Sequence, residues 1–91
     1  MISKRVRIRG RVQGVGYRDW MIGMANRLGV QGWVRNRADG SVEALVSGEA
    51  AAVNALLAEC RAGPALARVE SIAEDFAEPP EEPGFQRLSG L

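Results

Sequence analysis

Histidine is missing from the whole 91-residue chain, and cysteine occurs once, at Cys60. Without imidazole the chain lacks the commonest general base, the usual partner of a serine or cysteine nucleophile, and the commonest metal ligand. One thiol closes no internal disulfide, which fits a reducing cytoplasm. No apolar run approaches the ~18 residues of a membrane span. The opening MISKRVRIRG alternates charge where a secretory signal has an apolar centre. No set of side chains has metal-ligand spacing, and the adjacent Glu81 and Glu82 on a proline-rich stretch show no acid/base pairing. These absences predict a cytoplasmic protein with no metal, no other cofactor and no membrane contact.

What is present is enough for one core. Hydrophobic residues make up 46% of the chain, and the length predicts a single domain over residues 1–91. Net charge is only +1 but unevenly spread. Before Asp39 stand Lys4, Arg5, Arg7, Arg9, Arg11, Arg18, Arg27, Arg35 and Arg37 against Asp19 alone. The last third holds Glu70, Glu74, Asp75, Glu78, Glu81 and Glu82. A basic half beside an acidic half points to an anionic ligand rather than to general coating of nucleic acid.

Periodicity divides the chain into elements. Val6, Ile8, Gly10 and Val12 alternate with Arg5, Arg7, Arg9 and Arg11, which predicts a strand with one apolar and one arginine face. Helical spacing follows over Asp19 to Leu28 through Met21, Met24 or Ala25, and Leu28, with Gly29 as its stop. A second strand spans Gln31 to Arg37, Asp39-Gly40 marks a hairpin, and a third strand runs Ser41 to Ser47. Glu49 to Arg61 reads as a helix with the stripe Val53, Leu56, Leu57 and Cys60, ended by Gly63-Pro64. Leu66 to Phe76 is a fourth strand whose alternation fails between Val69 and Ile72, the mark of a bulge or bend. Phe85 to Leu88 makes a possible short fifth strand after the loop EPPEEP.

This order, β-α-β-β-α-β, predicts an α+β fold: a ferredoxin-like α/β sandwich with an antiparallel-rich sheet and two helices on one face. The first two strands then run parallel with the third between them. Their C-terminal ends share one edge, which brings Asn36 close to the turn after the first strand.

That turn carries the chemistry. In GRVQGVGYR, Gly10 to Arg18, glycines permit a backbone whose N–H groups curl inward around an anion. The helix that follows adds unpaired N–H groups and the positive end of its dipole. Arg18 supplies a planar, permanently charged fork that holds two phosphate oxygens at once.

GRVQGVGYR followed by GWVRNRADGSVE, Gly32 to Glu43, resembles the acylphosphatase family. Ala67-Arg68-Val69 and the closing Gly84-Phe85 extend the likeness over nearly the whole chain. The resemblance implies metal-free hydrolysis of a small acyl phosphate to carboxylate and inorganic phosphate. It implies that Arg18 binds phosphate and that Asn36 positions the water. The main-chain N–H groups of Gln13, Gly14, Val15, Gly16, Tyr17 and Arg18, with the guanidinium, would then hold the non-bridging oxygens. A monomer suffices. The chain departs from relatives at Ser89-Gly90-Leu91, where an aromatic residue commonly closes the last strand.

Two other readings compete. RNA-recognition domains share this element order, and the arginine face suits a phosphate backbone; the first and third strands, however, lack the paired aromatics that stack bases. A domain that binds phosphate without turnover is the other. The remaining conspicuous side chains have plain structural uses: Trp20 and Trp33 pack, Tyr17 packs while anchoring the loop, and Cys60 lies on the buried stripe.

Overall fold

Val6, Ile8 and Val12 are buried while Arg5, Arg9 and Arg11 are exposed, so the arginine-valine alternation does build a two-faced strand. In the computed structural model, which describes residues 1–90, that strand is β1, Ile2–Arg11. The remaining elements are α1 (Tyr17–Leu28), β2 (Gln31–Asn36), β3 (Val42–Gly48), α2 (Ala50–Cys60), β4 (Arg68–Phe76) and β5 (Phe85–Arg87). Leu91 of the C-terminal tripeptide lies outside the described residues.

The strands form one sheet in the order β4-β1-β3-β2-β5. β1 and β2 are each antiparallel to β3, hence parallel to one another, and β5 adds parallel to β2. Helix residues Tyr17, Met21 and Ala25 of α1 and Val53, Leu56, Leu57 and Cys60 of α2 share one core with Val6, Ile8, Val34, Val42, Ala44 and Val46 of the sheet. Fully burying a side chain such as Leu56 is worth ~1.5–3 kcal/mol. The stripe expected of α2 is therefore the buried one.

Several boundaries differ from the sequence expectation for local reasons. Helix α1 begins at Tyr17, not Asp19, because Gly16 takes a left-handed conformation (φ 79°) at the N-cap and the next residues are already helical. Strand β1 starts at Ile2, before the apolar alternation, because both its edges are paired: Ser3 Oγ meets Ser47 Oγ at 2.7 Å, and Lys4 Nζ reaches Glu74 Oε1 at 3.1 Å. β4 starts at Arg68 rather than Leu66. Its expected irregularity is a bulge: Arg9 pairs with Ser71 and Gly10 with Val69, which leaves Glu70 as the extra residue. Gly10 fits there because a Cβ would lie 2.2 Å from the Arg68 carbonyl oxygen. The fifth strand forms and docks, with Leu88 N–H donating to Val34 O at 3.0 Å.

The connection from β4 to β5 must cross the sheet from one edge to the other. That is roughly 19 Å at about 4.8 Å per strand, within reach of residues 77–84 when extended. It crosses beside Arg5, Trp33 and Leu45. Leu45 is thereby covered on the face opposite the helices, and β3 is buried along its whole length.

Candidate active site

Strand β1 hands over to α1 through residues 12–16, and the end of β2 lies alongside. Gly14 (φ 75°) and Gly16 (φ 79°) take conformations that a side-chain-bearing residue rarely adopts. Trp20 N–H donates to Gly16 O at 3.0 Å, which closes the first helical turn. The N–H groups of Tyr17, Arg18 and Asp19 stand N-terminal to that bond and have no helical partner. Arg18 therefore sits within the helix's first turn, above its positive end.

A cavity of about 80 Å³ opens here, lined by Val12, Gly14, Gly16, Tyr17, Arg18, Asp19, Asn36 and Arg87. Arg18 forms no ion pair among the described residues, so its fork is uncommitted. Asn36 Oδ1 is buried and has no hydrogen-bond partner among the described residues. The topology thus brings together the two side chains that were expected to meet. Of the other expected residues, Gly14, Gly16 and Tyr17 line the cavity, whereas Gln13 and Val15 do not.

Gln13 has a different use for its side chain. Nε2 donates to Arg37 O at 2.8 Å and to Ser41 O at 2.9 Å. It spans the mouth of the three-residue turn Ala38–Asp39–Gly40, where Arg37 N–H also donates to Ser41 O at 2.9 Å. The glycine loop is thus fastened to the hairpin that carries Asn36. Tyr17 anchors the same loop from below: its ring is buried against Trp20, and its hydroxyl donates to Cys60 O at 2.5 Å. Burial pushes the Tyr17 hydroxyl pKa well above its usual value and the Cys60 thiol up to about 12. Neither is a nucleophile at neutral pH.

Glu43 was not singled out in the sequence, although it stands in the motif. It pairs across the hairpin with Arg35. Arg35 Nε and Arg37 Nη1 donate to its Oε1 at 2.9 and 2.8 Å, and Arg5 and Arg7 lie within 4 Å of Oε2. Burial pushes its pKa up, but the Arg37 and Arg35 hydrogen bonds outweigh that and leave it lowered. The two residues flanking Asn36 are therefore both tied to one carboxylate. The Asp39-Gly40 turn sets this register, so the signal was readable. Arg87 and Asp19, paired through Nη2 and Oδ1, were also missed. Nothing in the spacing says where β5 docks.

A second cleft, of about 180 Å³, is lined by Gly32, Trp33, Pro80, Glu81, Glu82, Gln86 and Leu88. It offers two carboxylates and no cation, so it repels a phosphate. No group of three or more metal-ligating side chains occurs among the described residues.

The family model described as acylphosphatase matches residues 4–87. The chain is 64% identical over 91 residues to an acylphosphatase of Acidiphilium cryptum, covering 99% of this chain and 100% of that one. It is 52% identical over 86 residues to an acylphosphatase of Rhodospirillum rubrum, covering 94% of each. The crystal structure of acylphosphatase from Bacillus subtilis superimposes with a TM-score of 0.91 at 31% identity, over 97% of this chain and 99% of that one. With the fold, the loop and the full-length likeness in agreement, the chain belongs to the acylphosphatase family.

Proposed function

We propose that this acylphosphatase hydrolyses acyl phosphates in the cavity between the glycine loop and the end of β2. The dianionic phosphoryl group is held by the main-chain amides of Gln13 to Arg18 and by the Arg18 guanidinium. Asn36 lines up the attacking water, accepting its hydrogen bond at Oδ1. The observation that carries this reading is the meeting of Arg18 and Asn36 in one cavity, one without an ion pair and the other without a partner for Oδ1.

The chemistry suits a chain without histidine. The water oxygen joins phosphorus, and the bond from phosphorus to the acyl oxygen breaks with its electron pair going to the carboxylate. A carboxylate leaving group has a reference pKa of roughly 4 and needs no general acid. The transition state is loose, so catalysis consists mostly of positioning and charge stabilisation. An amide is too weak a base to take the water's proton, which passes instead to a phosphoryl oxygen of the substrate. The products are the carboxylate and inorganic phosphate.

The expected site residues meet within a single fold, so the proposed reading requires no second subunit. The cytoplasmic location we propose rests on the low cysteine usage of the sequence; no helix among the described residues is long and apolar enough to cross a membrane. Of the arginine face that suggested RNA binding, Arg5 and Arg7 are drawn toward Glu43 and Arg9 toward Asp39, and the family membership favours hydrolysis.

Steady-state hydrolysis of benzoyl phosphate tests the reading. Arg18→Ala should lower kcat/KM by about 10²–10³-fold or more, the usual cost of a preorganised donor, and inorganic phosphate should cease to compete. Near-normal turnover in a folded Arg18→Ala protein would remove the residue from the mechanism.

A further inference from the structure

Arg87 stands in the phosphate cavity although no motif pointed to it. It lies on β5 two residues after Phe85, and strand alternation sends both side chains to the face covered by the helices. Phe85 joins the core there. Arg87, paired in register with Val34 and so close to Asn36 on the neighbouring strand, reaches the first turn of α1. Its Nη2 pairs with Asp19 Oδ1, and both residues line the cavity with Arg18.

An acid in the lining of a dianion's pocket is out of place unless its charge is cancelled, and Arg87 cancels it. The pair is shallow: the Arg87 side chain is 44% exposed and that of Asp19 73%. Such a pair contributes little to folding and opens readily. A guanidinium carries five donors, more than one carboxylate can use.

We propose that Arg87 is a second cation for the bound phosphoryl group and that Asp19 is the internal anion competing for it. The inference rests on the reading of this cavity as the phosphate site. An entering dianion offers more charge and more oxygens than one carboxylate, so it draws the guanidinium from Asp19 toward phosphorus. The plain structural alternative makes the pair a strut between β5 and α1. A strut predicts that losing either partner acts in the same direction; a competitor predicts opposite signs.

The test measures the competitive inhibition constant of inorganic phosphate at low salt for wild type, Arg87→Gln and Asp19→Asn. Arg87→Gln should weaken phosphate binding about tenfold, the size of a charge-assisted hydrogen bond discounted for exposure. Asp19→Asn should tighten it about threefold. Both effects should shrink as salt rises toward 1 M. Weakening in both variants identifies a strut and overturns the proposal. Tightening in Asp19→Asn with no change in Arg87→Gln identifies simple repulsion by Asp19 and overturns it too, as does any other combination. If Arg87→Gln fails to fold, Arg87→Lys keeps the charge without the fork and should weaken binding by less than tenfold; no change there overturns the proposal. Arg18→Ala separates the two levels. Unchanged phosphate inhibition in that variant sinks the reading of the site, whereas loss there with Arg87→Gln unaffected sinks only the role given to Arg87.

Discussion

A buried carbonyl oxygen without a partner is costly, about 1–3 kcal/mol. Among the described residues only two buried side-chain polar atoms stand in that condition, Asn36 Oδ1 and Arg7 Nε. Arg7 belongs to the ionic cluster around Glu43, but Asn36 opens onto the cavity beside Arg18. Stability alone would favour an apolar residue there, which supports the chemical use proposed for the oxygen, as acceptor of a hydrogen bond from the attacking water. Asn36→Ala should lower kcat by about 10²-fold, within the range for loss of one positioned polar group. The phosphate inhibition constant should stay close to wild type, because the proposed site holds the anion through Arg18 and the loop amides. Steady-state kinetics with benzoyl phosphate decides between this and a packing role. A fall in phosphate affinity with kcat unchanged would place Asn36 in the cradle rather than beside the water.

The site is an agreement between two elements, the β1–α1 loop and the β2–β3 hairpin, and Gln13 is the side chain that joins them. Its two hydrogen bonds span the hairpin mouth one residue beyond Asn36. Gln13→Ala removes both donors, leaves the loop amides in place and lets Asn36 drift. Kinetic cost should therefore appear in kcat, about tenfold, a misplacement of a fraction of an ångström being enough. In the Asn36→Ala background the same change should cost almost nothing, since residues acting through one step are non-additive. Full additivity in that double-mutant cycle would separate Gln13 from Asn36. The elements themselves were legible because their signals are local: arginine-valine alternation for β1, the Val53–Cys60 stripe for α2, and the break near Val69 for the bulge. Arg18 and Asn36 were legible as neighbours because parallel strands flanking a third must end at one edge. Glu43's pairing with Arg35 was readable from the hairpin register, but Gln13's amide, the reach of Arg5 and Arg7 to Glu43 and the Arg87–Asp19 pair were not, because each depends on where a side chain reaches across the sheet. Residues far apart in the chain meet there, and period-two reading says only which face each occupies.

At the scale of the whole molecule, the small net charge conceals a basic sheet face held by few acids. Arg5, Arg7, Arg35 and Arg37 gather on Glu43, and Arg7 and Arg9 on Asp39. Asp39 Oδ1 also accepts hydrogen bonds from the Ser41 hydroxyl and N–H, at 2.6 and 3.0 Å, which with those arginines lower its pKa from 3.8 to about 2. Glu43 is lowered as well. A carboxylate held below its unfolded value contributes stability that is complete above about pH 4 and is lost as pH falls through the folded value. Acid therefore strips the counter-charges while every guanidinium stays protonated, and the sheet face is left with unrelieved repulsion. The urea midpoint should be flat near neutrality and fall between pH 4 and 2. Glu43→Gln leaves Arg35 and Arg37 without their anion at any pH and should cost about 2 kcal/mol at neutrality, between the values for exposed and buried pairs. Because that variant has already lost the ionisable group, its stability should decline less steeply through the same acid range. A midpoint curve for Glu43→Gln running parallel to wild type down to pH 2 would assign the acid sensitivity to a different carboxylate, with Asp39→Asn the next to measure.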